Sequence, residues 1–457
     1  MALNLGIPAL QVNPFARRVN PAPAVSHAAA ALASMAPARF KWRMTDITEA
    51  GHADLETVGR LKAAPLVDWL VRAARGVTDI SAFFASFCER IQDAGIPLDR
   101  ATMHAHVLDP QFRGLTLQWR CGSGGRIVRH SHGVEDQPSY INSPVYWIYG
   151  GAERFRRRLE NPEVVLDFAI LSELKADGFT DYVAQRLPFT DGTNHAVTWA
   201  TGHSGGFNAE DLAVFDALVP YLGVVVEARA THRAAETLLK TYLGADAGTR
   251  VLRGQVLRGS GQPIEAAILF ADLRHFTDLS ERLSGEQMIT LLNDYFESVI
   301  SPVEAHGGEV LKLIGDGILA IFPLTRGGPR PMCFAALAAA RSAFAEFAEV
   351  NRRREAAGET VVRFGITLHL GIVIYGNIGG ASRLDFTVIG PAVNLVSRLQ
   401  MLCRRLGKGV LFSGDFVRGL GVPMISLGRY ELRGVSEPEE VFALPAWEDP
   451  YYQPDSG

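Results

Sequence analysis

The sequence AAILFAD, residues 266–272, begins the part of the chain that decides the fold. It is an apolar run that ends in a carboxylate, which predicts a buried strand with a polar group at its end. KLIGDG, residues 312–317, leads into a second apolar run through an Asp-Gly pair, which is a hairpin signal. FTVIGPAVNLVSR, residues 386–398, predicts a strand, a turn and a helix that starts at Pro391, because proline suits the first helical position.

From residue 264 onward, strand and helix patterns alternate in the order of a ferredoxin-like βαββαβ unit. The predicted elements are a strand at 266–272, a helix at 285–305, strands at 309–314 and 318–323, a helix at 331–357 and a strand at 361–370. They are followed by strands at 372–376 and 385–389, a helix at 391–406 and strands at 409–412 and 440–444. We therefore predict an α/β (α+β) domain over residues 264–446.

The composition is that of an ordinary globular protein. The chain has 457 residues, which predicts two or three domains, and 47% of them are apolar. Its net charge of -4 excludes the global basic field of a nucleic-acid-binding protein. Four scattered cysteines without metal-ligand spacing indicate a reducing compartment, and no apolar run approaches the ~20 residues of a membrane helix. We therefore expect a soluble, cytoplasmic protein without a membrane span.

The preceding half of the chain divides into three parts. Residues 1–45 are rich in Ala and Pro and predict a disordered tail. Residues 60–205 have mixed α/β patterns, with helices predicted at 66–75 and 80–94 and strands at 103–108, 115–120, 182–187 and 196–201. Residues 206–263 predict a connecting helix, which Pro220 should kink or restart, and then a linker rich in glycine.

Asp272 and Asp316 are candidate metal ligands. Each alone has an ordinary interpretation, as a turn or cap residue and as a hairpin residue. In a βαββαβ unit, however, the first strand and the following hairpin lie side by side, so both carboxylates can meet at one edge. Mg²⁺ binds through one or two carboxylates plus substrate phosphates, and two such ions can steady an in-line displacement.

Three further side chains fit the same chemistry. Lys312 stands on an otherwise apolar strand, where it is either an edge-strand lysine or a ligand contact. Asn394 and Arg398 are four residues apart on one helix face, which is either solvent-exposed or part of a site. An arginine there can neutralise charge on a phosphoryl group during transfer.

Taken in order, these segments resemble the class III nucleotidyl cyclases, the adenylate and guanylate cyclases. The resemblance covers nearly half of the chain. The segments that carry it are ADLRHFT, KLIGDGILAIF, FGITLHLGIVIYGNIG, DFTVIGPAVNLVSRL and LRGVSEPEEVFAL. It implies an enzyme that makes a cyclic nucleotide with two Mg²⁺ or Mn²⁺ ions at each active site.

The resemblance also implies a role for each residue. Asp272 and Asp316 would hold the two metal ions, Phe276 and Thr277 would bind substrate, and Lys312 with Thr387 would read the adenine. Asn394 would orient the ribose, and Arg398 would stabilise the transition state. In the family, the two aspartates come from one protomer and the other groups from its partner, so a homodimer with two sites is implied.

Lys312 favours ATP over GTP as the substrate. A lysine can donate to adenine N1 and a threonine hydroxyl can accept from the adenine amine, whereas guanine reverses that pattern. The leading expectation is therefore an adenylate cyclase that converts ATP to 3′,5′-cyclic AMP and pyrophosphate. A guanylate cyclase and a catalytically silent nucleotide-binding regulator remain the alternatives. His275 stands where the family usually has Gly, and its bulk is what the silent alternative rests on.

Residues 60–205 resemble a GAF-type sensor domain in architecture, which implies regulation by a small-molecule effector. His104, His106, His130 and His132 have no Cys or acidic partners at ligand spacing, so ordinary structural histidines are the preferred interpretation. Trp119, Trp147, Tyr149 and Trp199 are expected in an aromatic core, with a ligand pocket as the alternative.

Overall fold

The structure is a computed structural model that describes residues 49–444. The chain divides into a first unit, residues 1–57, and a second unit, residues 58–457. Of the first unit only residues 49–57 are described, and they form the start of a helix. The predicted disordered tail, residues 1–45, lies outside the described residues. No helix within residues 49–444 has the length and apolar character needed to cross a bilayer.

The first sheet is antiparallel throughout and has the strand order β3-β2-β1-β6-β5-β4. Its strands are β1 Arg100–His106, β2 Phe112–Arg120, β3 Gly124–Ser131, β4 Arg154–Arg158, β5 Asp181–Pro188 and β6 Asn194–Thr201. The helices around it are α1 Glu49–Asp68, α2 Ile80–Asp93, α3 Pro138–Ile141, α4 Pro144–Tyr149 and α5 Ala169–Ala176. β3 and β4 were not predicted, because Gly, Arg and His dominate their sequences.

The two faces of this sheet bury different groups. Side chains alternate along a strand, so neighbouring residues of β6 point to opposite faces. Trp199 and Val197 pack with the phenylalanines of α2 in one core, whereas Ala196 and Ala200 pack with Phe155 in another. The core on the second face is the smaller of the two, and buried threonines, Thr102, Thr116 and Thr198, lie on that face as well.

A long helix, α6 Ala209–Leu243, follows the first sheet. Its start is fixed by a capping box between Asn208 and Asp211. The prediction that Pro220 restarts the helix is wrong: α6 continues through this residue, because the flanking Val219 and Leu222 are buried against the first sheet. The predicted linker also contains a short helix, α7 Ala245–Leu252.

The second sheet confirms the predicted βαββαβ order. Its elements are β7 Gly261–Leu273, α8 Phe276–Arg282, α9 Gly285–Ala305, β8 Glu309–Ile314, β9 Gly317–Pro323, α10 Pro329–Ala356 and β10 Phe364–Gly379. They continue with β11 Leu384–Ile389, α11 Pro391–Arg405, β12 Val410–Ser413, α12 Gly414–Leu420, β13 Ile425–Tyr430 and β14 Glu439–Ala443. The strand order is β13-β14-β12-β10-β7-β9-β8, and β11 pairs with β10.

Helices cover both faces of the second sheet. The main core lies between the sheet and α9, α10 and α12. The opposite face is covered by α7, β11 and the start of α11. Two predicted strands, at 361–370 and 372–376, are one continuous strand, β10, because Gly371 interrupts the apolar pattern without ending the pairing with β7. The predicted helix at 66–75 is also part of a longer helical segment that begins in α1.

Candidate active site

Two carboxylates meet at one end of the second sheet. Asp272 is near the end of β7, and Asp316 lies in the turn between β8 and β9. Because β9 pairs directly with β7, the hairpin places Asp316 close to Asp272. The Asp272 carboxylate is near enough to perturb the ionisation of Asp316. Asp272 shares a face of β7 with Ile268 and Phe270, and that face points towards α11. The fold therefore brings together the two residues predicted as metal ligands.

This pair is electrostatically strained. Burial, followed by the close approach and negative charge of Asp272, raises the pKa of Asp316 to about 6. Two carboxylates at this separation cannot both ionise without a free-energy cost. One oxygen of Asp316, Oδ2, is buried and has no hydrogen-bond partner within the part of the chain that the structure describes. A divalent cation would offset both charges and give this oxygen a partner, so the residues present fit a metal ion.

Protein ligands for such an ion are few. Within residues 49–444, no three or more His, Cys, Asp and Glu side chains converge in the way a complete metal site requires. Mg²⁺ keeps several waters and commonly binds through one or two carboxylates plus substrate phosphates. The arrangement therefore suits a metal that arrives with a phosphorylated substrate rather than a permanently caged one.

Two further residues contact or face this pair, and neither was predicted. Arg404, near the end of α11, donates to Asp272 Oδ2 at 2.9 Å and to the Leu273 carbonyl at 3.3 Å. Tyr295, on α9, is fully buried, and its hydroxyl has no partner among the described residues. Burial and the charges of both aspartates raise the pKa of Tyr295 well above its ordinary value. In the sequence, Arg404 is an ordinary basic residue in the last turn of a helix and Tyr295 an ordinary aromatic core residue, so neither gives a signal of a functional site.

The segment after Asp272 places the predicted phosphate-side residues. His275 has a left-handed backbone (φ 56°, ψ 31°) and is the one non-glycine residue with positive φ among those described. Its Nδ1 lies 3.5 Å from Asp278 Oδ2. Phe276 packs against the main core, and Thr277 is exposed. The conformation explains why glycine is the natural residue at this position, and histidine is among the residues that tolerate it best.

Lys312 lies on β8 and forms an ion pair with Asp385 on β11. A register shift between Val310 and Lys312 places Lys312 opposite Leu319, on the face covered by β11. Thr387 is buried and follows Asp385 by two residues, so both side chains point to one side of β11. Lys312 and Thr387 therefore belong to one local group, and Asp385 is a member of it that the sequence did not single out.

Asn394 and Arg398 lie on the first turns of α11, with Asn394 exposed and Arg398 half-buried. Arg398 contacts Met401 at 4.0 Å. Within residues 49–444, no hydrogen bond or ion pair joins Asn394 or Arg398 to Asp272 or Asp316. The six predicted groups thus fall into two sets, the carboxylate pair at the β7 end and the Lys312, Thr387, Asn394 and Arg398 set on β8, β11 and α11.

Exposed apolar side chains surround the second set. They lie on the elements that carry Lys312, Thr387 and Arg398, or on the adjoining strand β10. These side chains are Leu313, Ile314, Ile372, Ile374, Leu384, Ile389 and Met401, each at least 38% exposed. Several large apolar side chains exposed on neighbouring elements of a folded protein indicate an interaction surface.

α7 is tied to the second sheet through a polar cluster. The Tyr375 hydroxyl, on β10, contacts Glu309 Oε1 at 2.9 Å and Asp246 Oδ2 at 3.2 Å. Glu309 begins β8, the strand that carries Lys312, and also accepts from the Ala247 amide. Burial raises the pKa of Glu309. The segment after the long helix α6 therefore contacts the strand that holds the base-reading candidate.

Residues 261–441 match the family described as the adenylate and guanylate cyclase catalytic domain. An adenylate cyclase of Anabaena cylindrica is 32% identical over 36% of this chain and 32% of its own length. Adenylate cyclase 2 of Rhizobium meliloti is 30% identical over 50% of this chain and 64% of its own length. The chain therefore spans about a third of the first relative and less than two thirds of the second.

Two crystal structures are similar to parts of this chain. The adenylyl cyclase CyaB from P. aeruginosa is 26% identical, with a TM-score of 0.38, over 40% of this chain and 94% of that one. The guanylyl cyclase Cya2 is 28% identical, with a TM-score of 0.37, over 43% of this chain and 98% of that one. The match to the adenylate and guanylate cyclase catalytic domain is thus confined to residues 261–441, the part of the chain that forms the second sheet and its helices.

Proposed function

We propose that the chain is an adenylate cyclase, which converts ATP to 3′,5′-cyclic AMP and pyrophosphate. The observation that carries this proposal is the Asp272 and Asp316 pair, with its raised pKa and its buried, unpartnered oxygen. The curated relatives named above are adenylate cyclases, and they support the same activity. In this reaction the ribose 3′-hydroxyl attacks the α-phosphorus, and pyrophosphate leaves.

Asp272 and Asp316 would hold two Mg²⁺ or Mn²⁺ ions together with the phosphates of ATP. When bound, such ions lower the pKa of the attacking hydroxyl and stabilise the charge on the leaving and equatorial oxygens. Arg404, which contacts Asp272, is positioned to release that carboxylate to a metal or to meet a phosphate. Phe276 and Thr277 begin α8, four and five residues after Asp272, and are assigned to substrate binding by the family resemblance.

Lys312 and Thr387 would select adenine. The Lys312 ammonium donates to adenine N1, and the Thr387 hydroxyl accepts from the exocyclic amine. Asp385 holds the ammonium through an ion pair and so fixes the donor's direction. The Asp385 carboxylate only accepts hydrogen bonds, so it would attract the exocyclic amine of adenine and repel the O6 acceptor of guanine, which supports ATP as the preferred substrate.

The site would be completed by a second copy of the chain. The carboxylate pair has no hydrogen bond or ion pair to Asn394 or Arg398 within residues 49–444, so one copy supplies two separate half-sites. The apolar surface around Lys312 and Arg398 supports burial against a partner. In a two-fold dimer, the carboxylates of one copy face the Lys312 set of the other, and two equivalent sites result. Asn394 then orients the ribose, and Arg398 stabilises the transferring phosphoryl group.

Regulation by the N-terminal region would act through α6 and α7. The Tyr375, Glu309 and Asp246 cluster links α7 to β8, so a change in α6 reaches the strand that carries Lys312. Such a movement of α6 would change the position of Lys312 and the geometry of the dimer.

The direct test is chromatographic detection of cyclic nucleotide made from ATP and, separately, from GTP by the full chain with Mg²⁺ or Mn²⁺. We expect cyclic AMP from ATP, and we expect Asp316→Ala to abolish it. Glu281→Ala is the matched control, since Glu281 is an exposed acid on α8. Cyclic GMP as the main product would favour the guanylate alternative, and no product from either nucleotide would favour the silent regulator.

A further inference from the structure

A cavity of about 530 Å³ lies on the smaller, more polar face of the first sheet. Its floor is formed by β1, β2, β3 and β6, and its roof by α3 and α4. Sites for small organic ligands commonly have volumes of roughly 300–1,000 Å³. The cavity lies in the N-terminal region and is separate from the carboxylate pair. Its size and enclosure suit one small molecule per chain.

A chain of hydrogen bonds runs across the cavity floor. Thr198 contacts Thr102 at 2.6 Å, Thr102 contacts His104 at 2.7 Å, and His104 contacts Thr116 at 3.0 Å. Thr116 also contacts His130 at 2.8 Å. Both ring nitrogens of His104 are therefore occupied by hydroxyl groups. These hydroxyl and imidazole groups satisfy one another's hydrogen bonds and do not need a ligand.

Arg100 lines the cavity and is half-buried, and partial desolvation lowers its pKa. Within residues 49–444, no hydrogen bond or ion pair to the Arg100 guanidinium is present. Glu173 and Asp177 act on it electrostatically, but Asp177 pairs with Arg120. A guanidinium stays charged in proteins, so a half-buried one without a protein partner loses part of its hydration uncompensated. A bound anion would compensate for that loss.

The other charged or titratable groups of the cavity lining offset each other or are neutral, so Arg100 supplies the net charge of the cavity. Arg113 lies 3.9 Å from Glu135, so these two groups offset each other. Burial lowers the pKa of His104 to about 3 and lowers the pKa of His106 and His130, so all three are neutral at pH 7. One unit of positive charge balances a carboxylate, whereas a phosphate monoester carries about 1.5–2 negative charges.

The roof supplies aromatic surface. Tyr149 stacks on His106 with ring centroids 4.4 Å apart and an angle of 12° between the planes. Tyr140 lies 6.2 Å from Tyr149 and 5.7 Å from Tyr146, again between ring centroids. The Ser143 hydroxyl caps the start of α4 and fixes this wall. Flat rings of this kind favour a planar ligand, which can stack or meet them edge to face.

We propose that this cavity binds a planar aromatic carboxylate, with the carboxylate on Arg100 and the ring against Tyr140 and Tyr149. Arginine pairs with a carboxylate through two parallel hydrogen bonds, which also fixes the direction in which the ring points. The proposal assigns the effector class of the N-terminal region and does not depend on the cyclase activity.

The test is isothermal titration calorimetry of the full chain with 2-naphthoate and with 2-naphthalenemethanol, its uncharged isostere. We expect one naphthoate per chain, and at least about tenfold weaker binding of the alcohol, because a charge-assisted hydrogen bond is lost. Comparing the two probes on the unaltered protein avoids any question of misfolding. The same titrations with 4-hydroxycinnamate and indole-3-acetate cover planar acids of other shapes.

Two variants localise the site. Arg100→Met keeps the length of the side chain and removes its charge, and it should weaken naphthoate binding at least about tenfold. Arg129→Met is the matched control, since Arg129 is an exposed arginine on β3, and it should leave binding unchanged. Equal binding of acid and alcohol, unchanged binding in Arg100→Met, or no saturable binding of any of the three acids would overturn the proposal.

Discussion

The two sheets of this chain bury polar groups in opposite ways. In the second sheet, two carboxylates meet at the end of adjacent strands, and one oxygen is left without a partner. In the first sheet, hydroxyls and imidazoles satisfy one another across a cavity floor, and a cation is left over. The unsatisfied charge is negative in one region and positive in the other. Each therefore indicates the ligand it lacks, a metal with phosphates in one and an organic anion in the other.

The largest effect is expected at Asp316, which is a metal ligand if the contrast between the two sheets holds. We expect Asp316→Asn to lower turnover at least about a hundredfold, since it removes one ligand charge from the metal pair. The same change should stabilise the metal-free protein at pH 8. The folded pKa of Asp316 is raised to about 6, so ionisation between about pH 4 and pH 6 costs stability, by about 1 kcal/mol after allowance for solvent screening.

Urea unfolding in EDTA at pH 4 and at pH 8 measures this difference, beside cyclic AMP assays of the same preparations. Glu281→Gln serves as the control in both. An active Asp316→Asn protein, or one that is less stable than the unaltered chain at pH 8, would make Asp316 a structural residue.

A second change sharpens the assignment of the base-reading group. Lys312→Glu combined with Thr387→Cys should shift the ATP to GTP rate ratio towards GTP by about tenfold or more, because the donor and acceptor pattern is reversed. The ratio is measured as kcat/KM for each nucleotide. In Lys312→Glu, the new carboxylate also lies beside the Asp385 carboxylate, and the two repel each other. Asp385→Asn in the same background removes this repulsion and so separates it from base reading. An unchanged ratio in both backgrounds contradicts the assignment.

The junction between the two regions is the next point to test. Tyr375→Phe removes the hydroxyl that contacts Glu309 and Asp246 and leaves a buried carboxylate short of a partner. We expect a loss of about 1–3 kcal/mol in the free energy of unfolding. Tyr242→Phe is the control, since Tyr242 is 77% exposed. Equal unfolding free energies for the two variants would remove this cluster from the link between α7 and β8.

The smallest expected effect concerns the backbone at His275. His275→Gly relieves left-handed strain of roughly 1–2 kcal/mol but costs about 0.5–1 kcal/mol of chain entropy, so stability should rise by at most about 1.5 kcal/mol. His275→Val should destabilise by more, because a β-branched residue is poorly suited to this conformation. Urea unfolding orders the three proteins, and a Val variant as stable as the Gly variant would contradict the strain.

The sequence predicted the second sheet well because its signals are local. Asp272, Gly315-Asp316-Gly317 and Pro391 each mark a boundary of an element, and their order along the chain reflects the order of strands and helices. Arg404 was missed because its contact with Asp272 joins residues far apart in the chain. β10 was divided in two because a glycine in a strand looks like a boundary when its pairing partner is unknown.

The cavity on the first sheet could not be predicted from the sequence for a related reason. Thr102, His104 and Thr198 line one cavity only because alternate residues of neighbouring strands share a face. Such positions carry no spacing signal within any one strand. The preferred interpretation of the histidines as structural agrees with the hydrogen bonds that His104 and His130 form with Thr116. What the sequence could not indicate is that Arg100, beside them, lacks a partner.

In the proposed dimer, the carboxylate pair of one copy works with Lys312, Asn394 and Arg398 of the other. Mixing Asp316→Ala with Arg398→Ala tests this arrangement most directly, since each variant alone should make no cyclic AMP. In a random mixture half of the dimers are mixed, and each has one intact site, so the account predicts about one quarter of the unaltered activity. Asp316→Ala mixed with Asp272→Asn, both in one half-site, should stay inactive. No recovery in the first mixture would contradict the shared site.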